Sequence, residues 1–338
     1  MFLGFFSILI GPPAAAQEWH GPTTGPAAAP GKRIVVVAEN MRNDGIGGIV
    51  ADLNEAAGVL QWHIVTLDAA GDEARLADAL RISVSGDVGD GTAADGVVLA
   101  GLDAVRGMPD YGDAAQERAL PLVGWHVGPR PGPVPSTPVA INVTTDPAAV
   151  ARLAAKAAIT RSNGRAGVVI LTDYRYAIAV SKARGMANSI KACGQCTLLE
   201  LVDVPLADTA TRMPVEIARL MQQYGGELTD ILAINDLYFD DATAELQREG
   251  IAPDRISLIS AGDGSPSALD RIQRGYYQTA TVAEPLALQA WQLLDELNRL
   301  MARQPVSGFV ADPIVVTRTD PAPAVADFRT IYRRIWQR

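Results

Sequence analysis

The sequence predicts an α/β protein built as two doubly wound lobes. Three observations carry this. Continuous Val/Ile/Leu runs recur along the chain, as in "RIVVVA", "DGVVLAG", "AGVVILTD" and "DILAIND". Stretches with helical periodicity separate them. The 338 residues and the number of apolar runs exceed what one small sheet holds. Runs that are apolar throughout are strands covered on both faces, so they are parallel. Right-handed crossovers then wind helices onto both faces of each sheet.

The elements alternate in order. "RIVVVA" precedes a helix over 45–58, "WHIVTLD" a helix over 72–83, and "DGVVLAG" a short helix near 113–118. "LPLVGWH" follows, then "VAINVTTD" and the helix "PAAVARLAAKAAI". The second half repeats this grammar. "AGVVILTD" leads to a helix over 177–192, "TLLELVDV" to "RMPVEIARLMQQY", and "DILAIND" to "DDATAELQREG". "ISLISAGDG" leads to "SALDRIQRG", and "YQTATVAEP" to the long helix "LALQAWQLLDELNRLMA". "ADPIVVTRT" and a helix near 324–336 close the chain. The break between lobes is placed near Thr144–Asp146.

Composition bounds the function. Hydrophobic residues make up 48% and charged residues 20%, enough to bury a core. The net charge of -9 argues against nucleic-acid binding, which needs a basic face. Residues 1–16, "MFLGFFSILIGPPAAA", have the short apolar core and small-residue end of a secretory signal peptide. They are too short for a membrane span, which needs about 20 apolar residues. Residues 17–31, rich in Pro, Gly and Ala, read as an irregular arm. Export suits the two cysteines, Cys193 and Cys196 in "KACGQC". They follow a helical stretch and precede a strand, the reverse of a thioredoxin-like redox motif, so a short structural disulfide is the preferred reading. No metal site or cofactor is expected.

The stretch "ENMRNDGIGG" poses a specific question. A dinucleotide fingerprint needs G-x-G-x-x-G directly after the strand. Gly45 and Gly47 fit its first two positions, but Val50 takes the third and six residues intervene after the strand. These glycines instead let backbone amides at a helix start approach a ligand closely.

In doubly wound sheets ligands bind beyond the carboxyl ends of the strands. Reading off those ends gives Asn43, Asp44, Asp103, Trp125, His126, Arg175, Asn235, Asp263 and Glu284, with Thr144, Thr145 and Asp236 beside them. Carboxylates, amides and a guanidinium hydrogen-bond hydroxyls, and an indole face covers the apolar side of a sugar ring or another flat ligand. Any one of the Asp, Asn or Thr residues is equally well a helix N-cap.

These stretches, with "LPLVGWH", "DILAINDLYFDDA", "ISLISAGDGSPSALDRIQRG" and "YQTATVAEPLALQA", resemble type 1 periplasmic solute-binding proteins of the ribose- and galactose-binding kind, from about Arg33 to Thr319. The resemblance implies two Rossmann-like lobes joined by three crossing strands, near Thr144, Glu284 and Asp312. It implies one lobe of 32–144 plus 285–311 and another of 145–284 plus 312–338. It carries ligand contacts onto Asn235, Asp263 and Arg184, the last as the family's "RG" arginine. Glu284 stands where the ribose-binding type has Gln, and His126 where Asp is usual. The ribose binder's Phe pair is replaced by Asp44, Gly45 and Ile46, and Gly262 stands where an aromatic precedes the Asp. Trp125, Tyr174, Tyr176 or Tyr238 are the candidate replacement rings.

The implied function is a periplasmic binding component of an ABC importer that captures a sugar, a polyol or an amine-bearing ligand by hinge closure. Its partners would be that ligand and a membrane permease, and it would work as a monomer. A periplasmic sensor feeding a receptor or histidine kinase has the same sequence features. An enzyme finds little support: G-x-S-x-G and H-E-x-x-H are absent, and only His20, His63 and His126 are present. No catalytic residue is assigned.

Overall fold

The structure is a computed structural model that describes residues 18–85, 93–107, 112–320 and 327–337. The signal-peptide reading of residues 1–16 lies outside the described residues. Among the described residues no helix is long and apolar enough to cross a membrane.

The first sheet has five strands. They are β1 (Arg33–Ala38), β2 (His63–Asp68), β3 (Gly96–Ala100), β4 (Leu122–Trp125) and β5 (Ile141–Val143). All pair in parallel, in the order β2-β1-β3-β4-β5. The second sheet contains β6 (Gly167–Thr172), β7 (Thr197–Asp203), β8 (Asp230–Ala233), β9 (Ser257–Ser260), β10 (Gln278–Ala283) and β11 (Ile314–Thr317). Its order is β11-β10-β9-β8-β6-β7, with β11 antiparallel to β10. Each sheet thus reverses direction beside its first strand, at β1/β3 and at β6/β8, where loops diverge and leave a crevice.

The helices cover both faces. In the first lobe α1 (Asp44–Leu60) lies on one face and α2 (Glu73–Ser85) on the other, with α3 (Ala104–Gly107) and α4 (Gly112–Glu117) beyond β3. In the second lobe α5 (Pro147–Arg161), α6 (Ala177–Ala192), α7 (Thr209–Tyr224), α8 (Leu237–Arg248) and α9 (Pro266–Arg274) enclose β6–β10. Val168–Leu171, Ile231–Ala233 and Leu258–Ile259 form the centre of that core. Then α10 (Leu286–Met301) returns to the first lobe, and α11 (Phe328–Trp336) follows β11.

Two features depart from the sequence reading. The segment 312–338 does not belong wholly to the second lobe. β11 does, but Phe328, Tyr332, Ile335 and Trp336 of α11 pack into the first lobe's core with Trp291 of α10. The Trp291 and Trp336 rings stack with centroids 5.2 Å apart. The chain therefore passes between the lobes a fourth time, after β11. Second, the arm before β1 is a strap. Trp19 packs edge-on to Tyr332, Asn298 donates to the Pro26 carbonyl at 2.8 Å, and Trp62 donates to the Ala29 carbonyl at 2.8 Å. Covered by strap and α11, α10 is buried even at its charged positions. Asp295 accepts from Arg299 at 2.7 Å and from the Trp336 indole at 2.9 Å, while Glu296 accepts from the Ser307 amide at 2.7 Å. Buried charges survive only with such partners.

Cys193 and Cys196 are joined in a disulfide, at the end of α6 remote from its N-terminus.

Candidate functional site

The carboxyl ends of the two sheets face each other, and one small cavity of about 50 Å³ lies between them. Asn43, Trp125 and His126 line it from the first lobe. Lys182, Asn235 and Asp263 line it from the second.

Each side chain has a local reason for its place. Asn43 is the N-cap of α1, and its Oδ1 accepts from the Gly45 amide at 3.0 Å. Trp125 ends β4, and its indole donates to Gln289 of α10 at 2.8 Å. His126 follows at φ 55°, a left-handed conformation that histidine adopts more readily than most residues. Asn142 of β5 holds this turn, accepting from the Val127 amide at 3.0 Å and donating to the Gly128 carbonyl at 3.1 Å. The imidazole therefore stacks on Trp125, centroids 3.8 Å apart and planes 11° from parallel.

In the second lobe, Asn235 ends the loop after β8. Its Nδ2 donates to Asp263 Oδ2 at 2.7 Å while its Oδ1 accepts from the Leu237 amide at 2.8 Å. Asp236 faces away from the cavity. It accepts from the Gly264 and Ser265 amides at 2.8 and 3.1 Å and from Gln278 at 2.9 Å, and so fixes the turn that presents Asp263. Gly262 is required in that turn. A Cβ there would lie 2.8 Å from both Asn235 Cα and the Asp236 amide nitrogen. The aromatic that the resemblance expects there has no room.

Four ionisable groups form one buried chain. His126 Nδ1 lies 4.0 Å from Asp263 Oδ1. Its Nε2 lies 3.2 Å from Glu284 Oε1, an ion-pair distance without the alignment of a hydrogen bond. Lys182 Nζ lies 3.9 Å from the same oxygen. Glu284 also accepts from Thr145 Oγ1 at 2.7 Å, the Thr145 amide at 3.2 Å and Gln289 at 2.7 Å. Burial pushes the Glu284 carboxyl upward, but its interactions with His126, Lys182 and Gln289 outweigh it and hold the group well below the carboxylate range. For Asp263 burial wins, and the carboxyl sits above its ordinary value despite His126 and Lys182.

The sequence-predicted residues fall into three sets. Asn43, Trp125, His126, Asn235 and Asp263 converge on the cavity. Glu284 sits behind His126 and, through Thr145, ties the first interlobe passage to the second. The remaining three acidic or basic strand-end residues lie outside. Asp44 is exposed on the rim, 3.4 Å from the Ser267 hydroxyl across the cleft. Asp103 caps α3 and accepts from the Ala177 amide of the other lobe at 3.1 Å. Arg175 is forked onto Asp173 at 2.7 Å and points to the cleft's flank.

Arg184 requires a correction. It is exposed on α6 and does not reach the cavity. The buried cation is Lys182, two residues earlier, on the face of α6 turned to the sheet. The sequence signal was the helical period: Lys182 shares the inward stripe with Ile178, Ala179 and Met186, and Arg184 does not. Of the candidate rings, Tyr176 lines the cavity, Tyr174 is exposed and Tyr238 is buried with its hydroxyl on the Val204 carbonyl.

The glycine question also resolves. A Cβ on Gly45 would lie 2.1 Å from Asp263 Oδ2. The glycine brings α1 of one lobe against the carboxylate of the other.

The chain belongs to the periplasmic binding protein family: the family model described as "Periplasmic binding protein domain" matches residues 34–305. Solved structures share the fold. The myo-inositol binding protein of Caulobacter, solved with myo-inositol, superposes with a TM-score of 0.73 at 17% identity, covering 86% of this chain and 96% of that one. A solute-binding protein of an ABC transporter from Agrobacterium vitis, with bound allitol, gives 0.70 at 17% identity over 85% and 96%. One from Actinobacillus succinogenes, with bound D-allose, gives 0.73 at 14% identity over 85% and 98%. No curated protein matches the chain by sequence.

Proposed function

We propose that this protein is the periplasmic, ligand-capturing component of an ABC importer, and that its ligand is a neutral polyhydroxy compound, a sugar or polyol. One observation carries the reading. Hydrogen-bonding side chains from both lobes, Asn43 and His126 on one side and Asn235, Asp263 and Lys182 on the other, converge on one small interlobe cavity. A ligand that satisfies both sets holds the lobes together, so binding and closure are one event. The neutral class rests on pairing. Glu284 and Asp263 already face the basic groups Lys182 and His126, so each carboxylate has a basic neighbour. A charged ligand would have to displace one of these contacts. The solved neighbours that carry myo-inositol, allitol and D-allose bear neutral polyols or sugars. Trp125 stacks under His126 and itself lines the cavity.

The closed form would dock on an inner-membrane permease as a monomer, and the leader-like residues 1–16 would direct export. Binding requires no reaction, so the ligand leaves unchanged.

The test is a thermal-shift screen of residues 17–338, stripped of carried-over ligand, against neutral sugars and polyols, sugar acids and amino sugars. A hundredfold excess over the dissociation constant raises stability by about 2.7 kcal/mol. The expected hit is a neutral compound, recovered chemically intact, with binding lost in Asp263→Ala. Selection of an acid or an amine whose binding is lost in Asp263→Ala refutes the neutral class, and wild-type affinity of the neutral hit in that variant refutes the site.

A further inference from the structure

A second cavity of about 260 Å³ flanks the first, and Tyr176 lines both. Its floor is aliphatic: Leu76 and Leu80 of α2, with Leu102 after β3. Its opposite wall comes from the other lobe, through Arg175 and Tyr176. The volume lies just below the 300–1,000 Å³ or so that holds drug-sized molecules, so any guest is small.

The charges around it are unequally satisfied. Both guanidiniums are engaged. Arg175 is forked onto Asp173, and Arg106 lies 3.8 Å from Glu73 while donating to the Arg175 carbonyl at 2.9 Å. Glu39, at the end of β1, makes no ion pair among the described residues; the Tyr176 hydroxyl donates to its Oε1 at 2.8 Å. A carboxylate has room for further donors beyond one hydroxyl. Burial, the largest influence, raises the Glu39 pKa, and the Arg175 guanidinium, committed to Asp173, offsets this only in part, so a bound cation would stabilise the ionised form further. A carboxylate set over an aliphatic floor recognises an ammonium carried on an apolar body.

We propose that this outer cavity is a second binding compartment, selective for small primary amines with an apolar body. The ammonium pairs with Glu39 and the body rests on Leu76, Leu80 and Leu102. Because the walls belong to different lobes, occupancy favours the closed arrangement, and by linkage strengthens whatever binds in the inner cavity. The inference does not depend on the identity of the inner ligand, nor on its being a sugar.

Benzylamine is the probe, titrated into residues 17–338 and followed by calorimetry and amide chemical shifts, with benzyl alcohol as the neutral isostere. The expected result is saturable binding by benzylamine at least about tenfold tighter than by benzyl alcohol, the scale of one charged hydrogen bond. Glu39→Gln should remove that preference at nearly constant shape. Ala77→Phe, which fills the cavity from α2, should abolish binding of both compounds. No saturable benzylamine binding overturns the proposal. So does equal binding of the alcohol, or binding that survives Ala77→Phe. The two readings are separated by variant: Asp263→Ala removes binding in the inner cavity, and Ala77→Phe removes it in the outer one.

Discussion

Substitution of Gly45 by alanine separates closure from folding. Gly45 sits in the first turn of α1, in the first lobe, and an added Cβ would meet Asp263 Oδ2, Cγ and Cβ of the second lobe at 2.1, 2.4 and 2.8 Å. The carboxylate cannot swing aside freely, because Asn235 Nδ2 donates to the same oxygen at 2.7 Å and the side chain is buried. Overpacking of this kind costs about 1–3 kcal/mol. The cost falls on the closed form only, since the two residues part when the lobes open. At 1.4 kcal/mol per factor of ten, ligand affinity should fall roughly 5- to 150-fold. The open form gains, because alanine exceeds glycine in helix preference by up to about 1 kcal/mol. Ligand-free Gly45→Ala should therefore melt no lower than wild type. The assay pairs small-angle scattering, which should show a larger radius of gyration, with calorimetric affinity for the compound found by the screen. A lower melting temperature with unchanged affinity would refute the reasoning and place the clash within the folding core.

Other expectations follow from the same site. Lys182→Met removes a cation 3.9 Å from buried Glu284 and should cost about 3 kcal/mol in denaturant unfolding, the low end for a broken buried pair because other partners remain; the same change at exposed Arg184 should be near neutral. For Glu284 the folded pKa lies below the unfolded value, so its contribution is full above the ordinary glutamate value of 4.5 and fades only as pH falls through the folded pKa. Glu284→Gln should accordingly lose most stability at neutral pH and least in strong acid, read by unfolding midpoints across pH. Glu39 has the opposite sign: its folded pKa is raised, chiefly by burial, so its contribution is full below the unfolded value and is lost as pH rises through the folded pKa. Glu39→Gln should gain on wild type as pH rises above the ordinary glutamate value of 4.5, and an unchanged difference would disprove the desolvation argument. Reducing Cys193–Cys196, which closes a loop of sequence separation 3, should cost about 2 kcal/mol by loop entropy and leave ligand affinity untouched.

Much of this was legible beforehand because local chemistry decides it. The fully apolar runs could only be strands covered on both faces, and their ends could only frame a crevice. Asn43, Trp125, His126, Asn235 and Asp263 were visible as strand-end residues for that reason. Lys182 was missed because the "RG" pattern drew attention to Arg184, although the helical period already set Lys182 inward. Arg175 and Asp103 misled because a strand-end position does not reveal which way a side chain turns, and both are occupied locally, Arg175 by Asp173 and Asp103 by the caps of α3.

The sequence by itself determined the alternation of elements, the two-lobe plan, the strand-end chemistry and the cysteine pair close enough to bond. These depend on periodicity and on neighbours a few residues apart. Only the tertiary structure decided which charges meet. Glu284, His126, Lys182 and Asp263 are far apart in sequence, and their pairing depends on how two sheets face one another. It also decided the place of the chain ends. The strap and α11 lie on the first lobe because α10 carries Trp291, Asp295 and Glu296 on faces that would otherwise be exposed or unpaired, and covering them requires segments from both ends of the chain.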